Sequence, residues 1–141
     1  CDPTRGEFTI PHAGTFNANP MTMAAGEMTM NSLTPVVYQR LDHLGQLLRQ
    51  GLRAIFSEAE VPVQVTGMAS LFGIHFTSEA VTDYRSAVSG DQLMKKALFT
   101  GLLNEGIMLQ PGCAGALTTL TTEAEIDSLL EATRQVIRRI T

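Results

Sequence analysis

The stretch Val61-Pro62-Val63-Gln64-Val65-Thr66-Gly67-Met68-Ala69-Ser70-Leu71-Phe72-Gly73-Ile74-His75-Phe76-Thr77 decides the fold. Its two runs are rich in β-branched and aromatic residues, and a short turn containing Gly67 separates them, which predicts an antiparallel hairpin. Phe72, Ile74 and Phe76 alternate onto one face and make it apolar. Pro62 suits an edge or strand-start position, where its missing N–H costs no ladder bond. His75 alternates away from the apolar face and reads as a structural residue.

Working outward, helical periodicity appears on both sides. Upstream, Val37, Leu41, Leu44, Leu48, Leu52 and Ile55 advance in steps of three and four, while Arg40, Asp42, His43, Gln46, Arg49, Gln50 and Arg53 fill the other face. This predicts a long amphipathic helix that starts at Thr34-Pro35. Gly45 and Gly51 each weaken it by roughly 1 kcal/mol relative to Ala, so one is expected to mark close packing and the other a bend. Before it, Asn19-Pro20 is an N-cap followed by proline at the first helical position. Met21, Ala24, Ala25 and Met28 carry that first helix until it fades near Asn31-Ser32.

Downstream, a polar loop from Ser78 to Gly90 leads to Asp91, the cap of a helix bearing Leu93, Met94, Ala97, Leu98 and Leu102 and closed by Asn104-Glu105-Gly106. Ile107 to Gln110 reads as a short strand, Gln110-Pro111-Gly112 as its break, and Ala116 to Leu120 as another strand. Thr122-Glu123-Ala124-Glu125 is a capping box that opens the last helix. Ile126, Leu129, Leu130, Thr133, Ile137 and Ile140 form its apolar stripe. The fold class that results is α+β: a small antiparallel sheet of three to four strands with helices packed on it, preceded by a long helix.

Composition bounds the function. The 141 residues are 44% hydrophobic and 17% charged, an ordinary globular balance for one domain with a core of its own. Ten Lys and Arg against fourteen Asp and Glu give a net charge of -4, which argues against a nucleic-acid footprint. No run approaches the ~20 apolar residues of a membrane span, and no signal peptide opens the sequence, so a cytoplasmic protein is the default expectation. Cys1 and Cys113 have no CxxC spacing. His12, His43 and His75 lie far apart in sequence, and no metal site is expected. No nucleophile elbow, phosphate loop or dinucleotide fingerprint is present. The chain opens Cys1-Asp2-Pro3 without an initiating Met, and the run from Cys1 to Asn19 shows no sustained period; both suggest a piece of a longer chain whose arm leans on something else.

One stretch carries a resemblance. Pro11-His12-Ala13-Gly14-Thr15-Phe16-Asn17-Ala18-Asn19-Pro20, continuing Met21-Thr22-Met23-Ala24-Ala25-Gly26, resembles the GTF-x-x-NP-x-x-xAAG segment of class III aminotransferases, the fold-type-I pyridoxal-phosphate enzymes, and within them the glutamate-1-semialdehyde 2,1-aminomutase branch. Gly67 to Thr77 looks like that family's GSMFGxFFT hairpin, Leu102 to Ile107 like its LLxxGI, and Glu125-Ile126-Asp127 like the opening of its last helix. The first motif is quite specific and the others are individually weak.

The resemblance implies that residues 1–33 are the end of a large cofactor domain and residues 34–141 the small C-terminal α+β domain. It implies a pyridoxal 5'-phosphate cofactor, a small amino acid or semialdehyde as substrate, and a homodimer formed through the large domain. It also implies that Gly14 and Thr15 belong to a loop that reaches the cofactor phosphate of the neighbouring subunit. The chemistry agrees: glycine lets the backbone approach closely, a threonine hydroxyl can donate to phosphate, and a helix N-terminus follows. The simpler reading of Thr15 is a turn or cap. Lys95 and Lys96 lack the context of the family's cofactor-binding lysine and are read as surface residues, so the 141 residues alone are expected to be inactive. Where many relatives carry His-Thr before the last helix, Thr121-Thr122 stands here, and Gln110 to Gly115 departs from the expected Pro-Ser pattern in a loop that would face the substrate entrance. The alternative reading is a stand-alone α+β interaction or ligand-binding module.

Overall fold

The structure, a computed structural model, describes residues 14–141. The expectations for the arm between Cys1 and Ala13, His12 included, lie outside the described residues. The chain divides into two compact units, Cys1–Thr34 and Pro35–Thr141.

In the first unit the described residues form a turn followed by helix α1, Pro20–Ser32. Asn19 caps it as the sequence requires: its side-chain oxygen accepts the Met21 N–H at 3.0 Å, and Pro20 occupies the first turn, where no donor is needed. No residue of α1 is buried within this chain.

The second unit is built on helix α2, Pro35–Glu58. Leu41, Leu44, Leu48, Leu52 and Ile55 are buried as their spacing dictates, and Phe56 joins them. Phe56 meets Phe76 edge-to-face, with ring centroids 5.8 Å apart. Both helix glycines mark close packing. A Cβ at Gly45 would stand 1.8 Å from the Ala69 carbonyl oxygen, and one at Gly51 would stand 2.5 Å from Leu130. The expected bend is therefore replaced by a second close contact, and α2 runs through both positions to Glu58.

The hairpin forms strands β1, Gln64–Thr66, and β2, Leu71–His75. Val65 pairs with Ile74 in antiparallel register. Strand β3, Ala114–Ala116, pairs antiparallel with the other side of β2, so the sheet order is β1-β2-β3. Phe72, Ile74 and Phe76 are all buried. Two arginines assigned by pattern to the polar face of α2 turn inward to the hairpin. Arg49 is buried and donates to the carbonyls of Ala69 at 2.7 Å and Leu71 at 3.0 Å, and Arg53 donates to the Val65 carbonyl at 2.8 Å. Their long stems let a charged head reach backbone carbonyls of the hairpin.

Three expectations are corrected downstream. The polar loop holds a short helix α3, Tyr84–Val88, capped reciprocally by Asp83 and Ser86. Ile107 to Gln110 is not a strand; its link to the next segment is the Gln110 N–H donated to the Ala114 carbonyl at 3.1 Å. The strand expected at Ala116 to Leu120 lies earlier, as β3, because Thr118 to Thr121 closes on itself: the Thr121 N–H bonds the Thr118 carbonyl, and the Thr118 N–H bonds the Thr121 hydroxyl.

Helix α4, Gln92–Asn104, is capped by Asp91, which accepts the N–H groups of Leu93 and Met94. Helix α5, Glu123–Ile140, opens on the Thr122–Glu125 capping box. Both pack into the core through Leu98, Leu102, Ile126, Leu129, Val136 and Ile137. A Cβ at Gly101 of α4 would stand 2.4 Å from Val136, so α5 lies close against α4 there as it does against α2 at Gly51. Among the described residues no helix is long and apolar enough to cross a membrane.

Candidate functional site

The first candidate residues, Gly14 and Thr15, open the turn that feeds α1. The Asn17 N–H closes on the Gly14 carbonyl at 3.1 Å, and the Asn19 N–H closes on the Phe16 carbonyl at 3.1 Å. A Cβ at Gly14 would meet the Asn17 side-chain oxygen at 2.8 Å, the end of an exposed side chain that is free to swing aside. Thr15 is exposed, and the capping of α1 belongs to Asn19. Gly14 leaves its backbone bare, and the Thr15 residue sits on the surface of a turn whose next element is a helix N-terminus. A bare backbone, a surface hydroxyl and a positive helix end fit an anionic phosphate group.

The second candidate lies within Pro35–Thr141. A groove of about 540 Å³ is floored by Phe72, Ile126 and Leu129 and walled by the Ile107–Gln110 segment and β3. Gln110, Ala114 and Gly115 line it, so part of the loop singled out by sequence does face a cavity. Thr121 also lines it, whereas Thr122 is taken up as the N-cap of α5. Arg40 braces this wall from α2, donating to the Thr119 carbonyl at 2.8 Å and the Thr121 carbonyl at 2.6 Å. That role is invisible in the sequence, because an arginine on a polar helix face reads as solvated.

Cys113 leaves the loop and is fully buried, its thiol donating to the Lys95 carbonyl at 3.2 Å. Burial pushes the thiol up to about 11, far from nucleophile territory. Lys95 corrects an expectation too: it is buried, and only Lys96 is exposed. Position 95 falls three residues before Leu98 on the inner side of α4, so it shares the buried face of that helix with Leu98 and Leu102. His43 is exposed. His75 is half-buried and bonded to Thr66 and Ala87, the structural role that its place on the strand suggests. Among the described residues no group of three His, Cys, Asp or Glu converges as a metal site requires.

The class III aminotransferase family matches residues 3–137, nearly the whole chain. The chain belongs to the class III aminotransferases. A glutamate-1-semialdehyde 2,1-aminomutase of Methanothermobacter thermautotrophicus is 37% identical over 131 residues, which cover 91% of this chain and 31% of the relative. This class III chain therefore spans about a third of the length of such curated relatives. Among solved structures, an omega-transaminase from Sphaerobacter thermophilus superposes with a TM-score of 0.82 at 39% identity, over 98% of this chain and 32% of the other. A transaminase described with PLP bound superposes with a TM-score of 0.77 at 30% identity, over 99% of this chain and 32% of the other. The three-stranded antiparallel sheet with its packed helices matches the C-terminal domain of a fold-type-I aminotransferase. Pyridoxal phosphate is the cofactor of this family.

Proposed function

We propose that these 141 residues are the C-terminal part of a pyridoxal-phosphate-dependent aminotransferase or aminomutase, of the glutamate-1-semialdehyde 2,1-aminomutase kind, working as a homodimer on a small amino acid or semialdehyde. The observation that carries this reading is the Gly14–Thr15 turn leading into the Asn19-capped α1, inside a family match that extends from residue 3 to residue 137. Bound there, the cofactor supplies an electron sink for chemistry at the amino-bearing carbon. Gly14 allows the approach of an anion, the Thr15 hydroxyl donates to a phosphate oxygen of the neighbouring subunit's cofactor, and the end of α1 adds favourable charge. The Pro35–Thr141 unit shapes and closes the substrate side. Neither Lys95, buried on the inner face of α4, nor Lys96 has the surroundings of a lysine that holds the cofactor, so that group lies in sequence outside these residues and the 141-residue chain alone is inactive.

The test is direct. The intact protein, loaded with cofactor, is offered glutamate-1-semialdehyde in one assay and paired amino donors and acceptors in another. Turnover of the first without an external donor supports the aminomutase reading, turnover only of the second supports a transaminase, and neither turnover nor cofactor binding overturns both in favour of a binding module.

A further inference from the structure

Pro111-Gly112-Cys113 forms a hairpin turn. The Cys113 N–H bonds the Gln110 carbonyl at 2.8 Å, the Gln110 N–H bonds the Ala114 carbonyl at 3.1 Å, and Cys113 stands in the left-handed region with φ 55°. A three-residue loop of this kind starts two antiparallel strands in register, with Gln110 opposite Ala114 and therefore Met108 opposite Ala116. β3 presents the matching edge. Its bonds to β2 come from alternate positions, the Cys113 carbonyl accepting from Ile74 and the Leu117 N–H donating to Ser70, so the backbone groups of Ala114 and Ala116 face the other way. Upstream, Ile107 and Leu109 pack against the core while Met108 and Gln110 are exposed, the alternation of a strand. The hairpin nevertheless stops at its first rung. Among the described residues neither the N–H nor the carbonyl of Met108 or of Ala116 has a backbone partner, and the groove opens beside them.

We propose that Ile107–Gln110 is a strap that zips onto β3: the Met108 N–H donates to the Ala116 carbonyl, the Ala116 N–H donates to the Met108 carbonyl, and the two walls of the groove are drawn together. Both ends of the strap are already fixed, by the Ile107 N–H on the Leu102 carbonyl at 2.9 Å and by the Gln110–Ala114 rung. Only the backbone of Met108 and Leu109 has to be ordered, so little conformational entropy opposes closure. No side chain changes face, because Leu109 already packs inward and Met108 already stands in solvent, 81% exposed. The gain is two hydrogen bonds between backbone groups that border an apolar floor of Phe72, Ile126 and Leu129. The groove is therefore widest with the rung open, and the strap is its movable wall.

Residue-resolved hydrogen exchange on the intact protein, corrected for intrinsic rates, tests the strap. Leu109 is the internal control, since in this register its N–H has no partner on β3 in either state. The Met108 and Ala116 amides should exchange about tenfold more slowly than that of Leu109. Met108→Pro deletes a donor that the open strap does not use, and it should bring the Ala116 amide to the rate of Leu109. Equal rates at the three amides in the parent, or an Ala116 amide that stays slow in Met108→Pro, overturn the proposal. Should Met108→Pro fail to fold, the parent decides: slow exchange at Met108 and Ala116 with fast exchange at Leu109 supports the strap, and any other pattern overturns it.

Discussion

Gly45 of α2 and Ala69 at the hairpin tip approach so closely that the helix has no room for a methyl group between them: a Cβ would stand 1.8 Å from the Ala69 carbonyl oxygen. The same oxygen accepts from Arg49 one turn further on. A missing side chain and a long charged one therefore fix one turn of the hairpin against one helix. Gly45→Ala should destabilise the protein by about 3 kcal/mol, because the obstruction is backbone that cannot rotate away. Gly51→Ala should cost less, since the atom in its way belongs to the flexible Leu130 side chain. Denaturant unfolding of the two variants gives the order, and equal losses would show that the hairpin tip yields.

At the other candidate site, Thr15→Ala in the intact protein should weaken cofactor retention about ten- to a hundredfold, as loss of a hydrogen bond to a charged group of roughly 1.5–3 kcal/mol requires. The unfolding midpoint should barely move, because Asn19 rather than Thr15 caps α1. Equilibrium dialysis beside a thermal melt separates these outcomes. A shifted melt with unchanged cofactor affinity would make Thr15 a turn residue only.

The capping box of α5 gives a pH-dependent contribution. Hydrogen bonds from the Thr122 hydroxyl and N–H hold the Glu125 carboxyl below its ordinary 4.5. The stability it adds is fully present above that value and is lost as the pH falls through the lower folded value. Thr122→Ala should cost about 1 kcal/mol near neutral pH, with a smaller loss in acid. Unfolding midpoints followed from about pH 7 to about pH 3 check this, and a cost that does not change with pH would separate the cap from the carboxylate.

Cys113 should resist alkylation in the folded protein at mildly alkaline pH and react promptly in denaturant, since its thiol is buried and titrates near 11. Mass spectrometry of the Cys113 peptide after iodoacetamide treatment reads this directly. Rapid native labelling would mean that the loop around it opens far more often than its packing implies.

How much of this was legible in sequence follows from where the determining forces lie. Local forces were readable: the Asn19-Pro20 and Thr122–Glu125 starts and the leucine stripe of α2 sit where the spacing places them. Nonlocal ones were not. β3 is Ala114-Gly115-Ala116, a sequence with little preference for strand, and it pairs because Phe72 of β2 lies opposite Gly115, whose missing Cβ leaves space for the ring. α3 has no buried residue, hence no apolar stripe to announce it, and its signal was the Asp83–Ser86 exchange of hydrogen bonds. Arg40, Arg49 and Lys95 show the same limit, since a charged residue on a helix declares its solvent-facing chemistry and not the carbonyls or core its stem can reach. For the candidate site, the Gly14–Thr15 stretch was visible because its motif is contiguous. The groove was only half visible, because its walls come from segments that meet only in the folded chain.

The two notches beneath α5 have a mechanical consequence. Gly51 receives Leu130, and Gly101 receives Val136. Sliding α5 by one turn, roughly 5.4 Å, exchanges the occupants of both notches together. In one direction Arg134 and Ile140 arrive, placing a guanidinium against Gly51 and a larger branched chain where valine already fits tightly. In the other, Ile126 and Ala132 arrive, placing a β-branched chain where the leucine sat and leaving the second unfilled. Neither shifted arrangement satisfies both sockets, so α5 has a single seating, keyed by two absent side chains on two different helices.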